Sequence, residues 1–150
     1  MSKTKFSVNL LSVLEKRSQI NLQGLQLVEP HNLRAGYRIQ CFPSISESIL
    51  RIAVILKYFY SNKIIAETKV ESVFEVQSQN VVITEGEEGL SVLKSLLETI
   101  IPVAFDSARG FICASFKGSV LMDYPFPMIK TGELVKNCEI LDMTSPLRVE

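Results

Sequence analysis

Ile49-Leu-Arg-Ile-Ala-Val-Ile-Leu-Lys-Tyr-Phe-Tyr60 is the stretch that decides the fold. Leu50, Ile52, Val54, Leu56, Tyr58 and Tyr60 recur at every second position and give one continuous apolar face, which is the pattern of a strand. The intervening set, Ile49, Arg51, Ala53, Ile55, Lys57 and Phe59, is half apolar as well. A strand in a simple antiparallel sheet needs one apolar face only. The second face therefore implies cover, by another subunit, by a ligand, or by the N-terminal segment folded across it.

Strand patterns continue on both sides. After the short turn Ser61-Asn-Lys63, the run from Ile64 to Gln77 places Ile64, Ala66, Val70, Phe74 and Val76 on one face, with Glu67, Lys69, Glu71 and Glu75 on a wet one. So short a turn between two strands predicts a hairpin. Upstream, Ala35 to Cys41 alternates cleanly, with Arg38 and Gln40 on the polar side, and Pro43 with the serines that follow interrupts it. Ile20 to Leu27 also alternates, but its phase slips at Gly24, which reads as a bulge. Before it, Phe6 to Leu14 suits a short amphipathic helix or strand. Four strands are expected.

Helical spacing then takes over. Thr84-Glu-Gly-Glu87 has the composition of a capping box, and Glu85, Glu87 and Glu88 suit the positive end of a helix. Leu90, Leu93, Leu96, Leu97, Ile100, Ile101, Ala104, Phe105, Ala108 and Phe111 hold one apolar stripe over several turns. Pro102 lacks the backbone donor of an interior position and should kink or split this helix. Lys117-Gly118 marks its exit. Pro125-Phe-Pro-Met-Ile129 is an apolar loop, and Thr131 to Val135 opens a second, shorter helix. Strands followed by segregated helices read as α+β: a four-stranded antiparallel sheet, a long kinked helix and a shorter C-terminal one, in a single domain over residues 1–150.

The whole-chain quantities agree. A chain of 150 residues buries roughly 70% of its unfolded surface. Hydrophobic residues make up 47% and charged ones 21%, which excludes disordered and collagen-like classes. Sixteen basic residues balance sixteen acidic ones, so no net field favours nucleic acid or an anionic membrane. Residues 1–57 carry eight basic and three acidic residues without a tight cluster, a distribution that fits solvated strand faces. No apolar run approaches the roughly 18 residues of a membrane span. Ser7, Asn9 and Ser12 interrupt the N-terminal apolar run, and Glu15-Lys-Arg17 stands where small cleavage-site residues belong in a signal peptide. Cys41, Cys113 and Cys138, without a C-x-x-C spacing, fit free thiols in a reducing cytoplasm, and with His31 they make no evident zinc set.

Catalytic chemistry finds little support. Nucleophilic Ser or Cys needs a base, and the single histidine, His31, sits in the turn-like Glu29-Pro-His-Asn32. Gly86 and Gly89 bracket carboxylates that would repel phosphate. Asp106 and Arg109 at i, i+3 form an intrahelical ion pair, and Gly110 directly after them predicts a close backbone approach or a bend. Pro102, Asp106, Arg109 and Gly110 are accordingly expected to be structural, with the Arg109 stem buried and no catalysis or phosphate binding there. Tyr58, Phe59 and Tyr60, with Phe126, Met128 and Ile129 of the proline loop, supply aromatic and methionine side chains suited to an adaptable groove, with core packing or subunit contact as the alternative.

Val70-Glu-Ser-Val-Phe-Glu-Val76, the acidic helix start, Ile100-Ile-Pro-Val-Ala-Phe105, Ser107-Ala-Arg-Gly110 and Tyr124-Pro-Phe-Pro-Met-Ile129 follow one another in an order that resembles the SecB family of protein-export chaperones and its SecB-like relatives. The resemblance spans residues 18–140 and is most specific over 70–130. It implies a four-stranded antiparallel sheet followed by two helices, assembly as a tetramer, and apolar grooves that hold unfolded polypeptide without ATP or metal. The implied client is an export precursor or an antitoxin. The chain departs from the exporters in its Pro-Phe-Pro loop and in its balanced charge, which counts against docking to a translocation ATPase.

The expected function is ATP-independent holding of non-native polypeptide in a cytoplasmic homo-oligomer, dimer or tetramer, without cofactor, nucleic acid or membrane insertion. Tyr58, Phe59, Tyr60, Phe126, Met128 and Ile129 are the expected client contacts. The alternative is a non-enzymatic structural or regulatory subunit with one dedicated folded partner. An enzyme is the weakest reading.

Overall fold

A computed structural model of the chain describes residues 7–23, 25–44, 48–77 and 87–141, with helix side chains from Lys94 onward. Its elements are β1 (Ser7–Ile20), β2 (Leu33–Ser44), β3 (Ile49–Tyr60), β4 (Lys63–Gln77), α1 (Glu87–Ser115), α2 (Thr131–Lys136) and β5 (Cys138–Ile140). The strands form one five-stranded sheet in the order β1-β4-β3-β2-β5. The pairings β1–β4, β4–β3 and β3–β2 are antiparallel, and β5 runs parallel to β2. The fold is α+β as expected, but the sheet is mixed and has one strand more than expected.

The central hairpins match the alternation that announced them. Leu50, Ile52, Val54, Leu56 and Tyr58 of β3 are buried on the face that α1 covers, beside Ile39 and Cys41 of β2 and Val70 and Phe74 of β4. Thr68 and Ser72 share this buried face, and Ser72 Oγ has no hydrogen-bond partner among the described residues. Ser61 and Asn62 close the β3–β4 hairpin with φ of 49° and 69°. Positive φ at both turn positions matches the twist of the flanking strands. Ile64 does not join the core as expected: Phe59 pairs with Ile64 while Tyr58 pairs with Ala66, so Ile65 is an extra residue and Ile64 stays exposed. β2 also runs through Pro43. Cys41 turns its carbonyl outward to the Leu141 N–H, so Pro43, in the same phase, lacks only an outward donor.

The edges depart from the expectation. Among the described residues of the stretch Ile20 to Leu27, only Ile20 is strand, and the expected bulge at Gly24 lies outside the described residues. The first strand is instead Ser7–Ile20, which pairs along β4 with register shifts between Leu10 and Ser12 and between Glu15 and Arg17. Two bulges in one strand break the period-2 pattern and hide it from inspection. The N-terminal segment thus lies beside β4 and not across β3. On the second face of β3, Ile49 and Phe59 are half-buried, and Ala53 and Ile55 are already buried in the single chain. In register they are flanked by Gln40 and Glu71 and by Arg38 and Lys69, long side chains able to cover apolar neighbours with their stems.

On the other face, α1 buries Leu96, Leu97, Ile100, Ile101, Ala104, Phe105, Ala108 and Ile112. Pro102 does not split it, since the helix continues from Glu87 to Ser115. Ile100, Ile101, Ala104 and Phe105, all buried around the proline, anchor both halves to the sheet and offset the lost backbone bond. The expected capping box at Thr84 lies outside the described residues. The exit is close to that expected: α1 ends at Ser115 and Gly118 takes φ of 79°.

Candidate polypeptide-binding cleft

Phe105, in the middle of α1, begins a chain of edge-to-face aromatic contacts under the proline loop. Its ring meets Tyr37 at 5.6 Å and Phe126 at 5.8 Å, and Phe126 meets Tyr58 at 5.6 Å. Tyr58 in turn meets Phe116 at 4.9 Å. Such contacts fix ring orientation as well as bury area. Polar atoms at the margin complete the fit. The Tyr58 hydroxyl donates to the Tyr124 carbonyl at 2.7 Å, and the Tyr124 hydroxyl donates to the Val28 carbonyl at 3.3 Å. Burial, with Cys113 nearby, raises the Tyr58 phenol above its ordinary range, so it remains a donor.

Arg109 holds the loop from the helix side. Its Nε and Nη2 both donate to the Phe126 carbonyl, at 3.1 and 3.0 Å, and Nη1 reaches Asp106 Oδ1 at 3.3 Å. The peptide after a proline in an apolar loop has no strand or helix to satisfy its carbonyl, and a guanidinium supplies two donors at one point. Phe126 is thereby turned inward and is buried.

Between α1, the loop and α2 lies a cleft of about 140 Å³. Pro102, Phe105, Asp106 and Arg109 form its helix wall, Met128 and Ile129 its loop wall, and Thr131 and Leu134 its α2 wall. The cleft is partly open to solvent, and Asp106, Arg109 and Thr131 give it a polar margin beside the apolar walls. One or two apolar side chains fit such a space. Met128 stands at its rim, 85% exposed, whereas Leu134 is buried.

The six expected client contacts do not share one surface. Met128 and Ile129 line the cleft, but Tyr58 and Phe126 are 2% and 1% exposed and belong to the core beneath it. Their inward direction follows from the helix-facing phase of Tyr58 and the Arg109 clamp on Phe126. Phe59 lies on the opposite sheet face, where a Cβ on Gly36 would come within 3.2 Å of its ring. Tyr60 is half-buried at the strand end and accepts from the Glu29 N–H at 3.3 Å. Pro102, Asp106 and Arg109 meet at the cleft, while Gly110 shows no close approach: nothing lies within 4 Å of a Cβ placed there. Helix α1 passes through it unbroken, so its small size is not required by packing. Thr131 and Leu134 complete the cleft and were not anticipated. Leu134 is the one buried residue of a six-residue helix, too short for periodicity to reveal a face.

Elsewhere, His31 is exposed and lies 3.4 Å from Glu29 in a short 3-10 turn. No group of His, Cys, Asp and Glu able to hold a metal occurs among the described residues. No described helix is long and apolar enough to cross a membrane. Burial raises the Cys41 thiol, with Cys138 adding to it, and burial beside Glu139 pushes the Cys138 thiol up to about 11. Neither favours thiolate chemistry.

No family model matches the chain, and no curated protein matches it. Among solved structures, the Rv1957 SecB-like chaperone of Mycobacterium tuberculosis, in complex with a ChAD peptide from the Rv1956 HigA1 antitoxin, is similar at 12% identity and a TM-score of 0.47. The similarity covers 82% of this chain and 88% of that one. A likeness of that size carries neither residues nor activity across.

Proposed function

We propose that this chain holds non-native polypeptide, taking apolar side chains of the client into the cleft between α1, the proline loop and α2. The observation that supports this most is Met128, 85% exposed at the rim of a cleft lined by the apolar Pro102, Phe105, Ile129 and Leu134 together with Asp106, Arg109 and Thr131. An exposed methionine beside a recess of mixed apolar and polar lining adapts to many side chains. The floor is rigid, since the Arg109 clamp and the aromatic contacts fix the loop. The resemblance of residues 70–130 to the SecB family supports the same reading. Binding proceeds without catalysis, in the cytoplasm, by a homo-oligomer of two or four chains. Its clients are export precursors or an antitoxin, the two classes that the resemblance implies.

Binding of several unrelated, permanently unfolded proteins, followed by fluorescence anisotropy, tests this. All should bind at micromolar affinity or better, and Met128→Glu should weaken each about tenfold, the loss of most of one buried methionine. Binding of a single folded protein and none of the unfolded ones would establish a dedicated subunit instead.

A further inference from the structure

The sheet carries a second feature with the chemistry of a polypeptide site. β5 is three residues long and is the one described strand that pairs in parallel. It covers β2 only from Ile39 to Cys41, whereas β2 runs from Leu33 to Ser44. Ala35 and Tyr37 have the same phase as Ile39 and Cys41, so the outer edge of β2 continues beyond the end of β5. Beyond its three-residue ladder with β2, β5 is held by the Leu141 N–H, which donates to the Cys41 carbonyl at 3.0 Å, and by Asn137 Nδ2, which donates to the Tyr37 hydroxyl at 2.8 Å. On the face away from α1, Arg38 donates to Glu139 through Nε at 2.7 Å and Nη2 at 3.1 Å. Both side chains of that pair are about half exposed, at 58% and 44%, and Ile140 is 38% exposed. Exposed ion pairs contribute little to holding a strand.

We propose that the outer edge of β2 is a second polypeptide site, where an extended segment with an acidic residue between two apolar ones adds as a strand, and that β5 is a resident strand it displaces. Cys138-Glu-Ile140 is itself such a segment and shows what the edge accepts. Main-chain hydrogen bonds give affinity for any extended chain, and alternate side chains give selectivity. Here the selective element is the Arg38 fork, which matches a carboxylate opposite Gln40. A segment longer than three residues can also pair at Tyr37 and Ala35, which β5 does not reach. The proposal rests on reading the chain as a holder of polypeptide and gives that activity a second contact and a resident competitor.

A fluorescein-labelled peptide copying residues 136–141, with Cys138→Val to prevent disulfides, is the probe. It is titrated into the full-length wild type, Glu139→Lys and Glu139→Pro. The proline also removes a backbone donor from the middle of β5. Displacement of a resident strand raises the fraction of competent edge, so Glu139→Pro should bind about tenfold tighter than wild type and Glu139→Lys about threefold tighter. Adding Arg38→Glu to Glu139→Lys should reverse the preference, favouring a probe with Lys at the Glu139 position. Equal affinities across wild type and variants, or no reversal on charge exchange, overturns the edge site. Should Glu139→Pro fail to melt cooperatively, Glu139→Lys decides alone. Unfolded proteins that bind wild type while the probe shows no such differences refute the edge only. Unfolded proteins that bind none of the chains refute the holding activity itself.

Discussion

Arg109 shows how far one side chain organises this molecule. It donates twice to the Phe126 carbonyl, so the proline loop, the aromatic core and the cleft wall depend on one guanidinium. Arg109→Met keeps the apolar stem but leaves that carbonyl without its charged donors. The expected loss is about 1.5–3 kcal/mol, a fall in Tm of roughly 5–10 °C by calorimetry, with polypeptide binding lost only as the loop loosens. Unchanged Tm with lost binding would instead place Arg109 in contact with the client. Gly110, one residue on, predicts the opposite sign. A Cβ there meets nothing within 4 Å in a continuous helix, so Gly110→Ala should stabilise by about 0.5–1 kcal/mol, read from the denaturant midpoint at unchanged m. The sequence marked both residues as structural. The close backbone approach it suggested at the glycine is absent, because spacing says what a position lacks and not what stands beside it.

At the scale of elements, legibility followed pairing. β2, β3 and β4 were readable because each buries one face under α1, and their alternation records that burial. β1 and β5 were not, for different reasons. β1 carries two bulges, one at Leu11, which sets Leu10 and Leu11 side by side, and one at Lys16, so its alternation changes phase twice. β5 is too short for any period, and its place depends on an edge distant in sequence. Turn chemistry was legible in position but not in type. Ser61 and Asn62, at φ of 49° and 69°, occupy a turn that favours Asn-Gly. The double substitution Ser61→Asn with Asn62→Gly should therefore stabilise by about 1 kcal/mol, and Asn62→Val should destabilise by about 1–2 kcal/mol. Chemical denaturation of the two variants checks both signs.

Across the whole molecule, the expected argument for association does not survive, while another takes its place. On the second face of β3, Ala53 and Ile55 are buried without a second chain. Part of the exposed apolar material lies instead on β1, where Leu10, Leu11 and Leu14 are 47%, 51% and 51% exposed. β1 is also an edge strand of 14 residues, paired only with β4 among the described strands. A long apolar edge is a template for pairing with another chain, and proteins that remain single usually shorten or charge it. Here Lys16 and Arg17 charge only its later part, and Arg17 is engaged with Glu67. Light scattering at micromolar concentration should therefore give twice or four times the 16.8 kDa of one chain. Leu11→Lys with Leu14→Lys should shift the mass to that of one chain, because charges on a buried edge oppose its pairing. The cleft lies at α1, the proline loop and α2, whereas β1 is at the sheet edge opposite β5. A dissociated variant should consequently keep its affinity for a short apolar peptide and lose affinity for a long unfolded chain, which gains from several clefts on one assembly. Equal losses for both would mean that association builds the cleft itself.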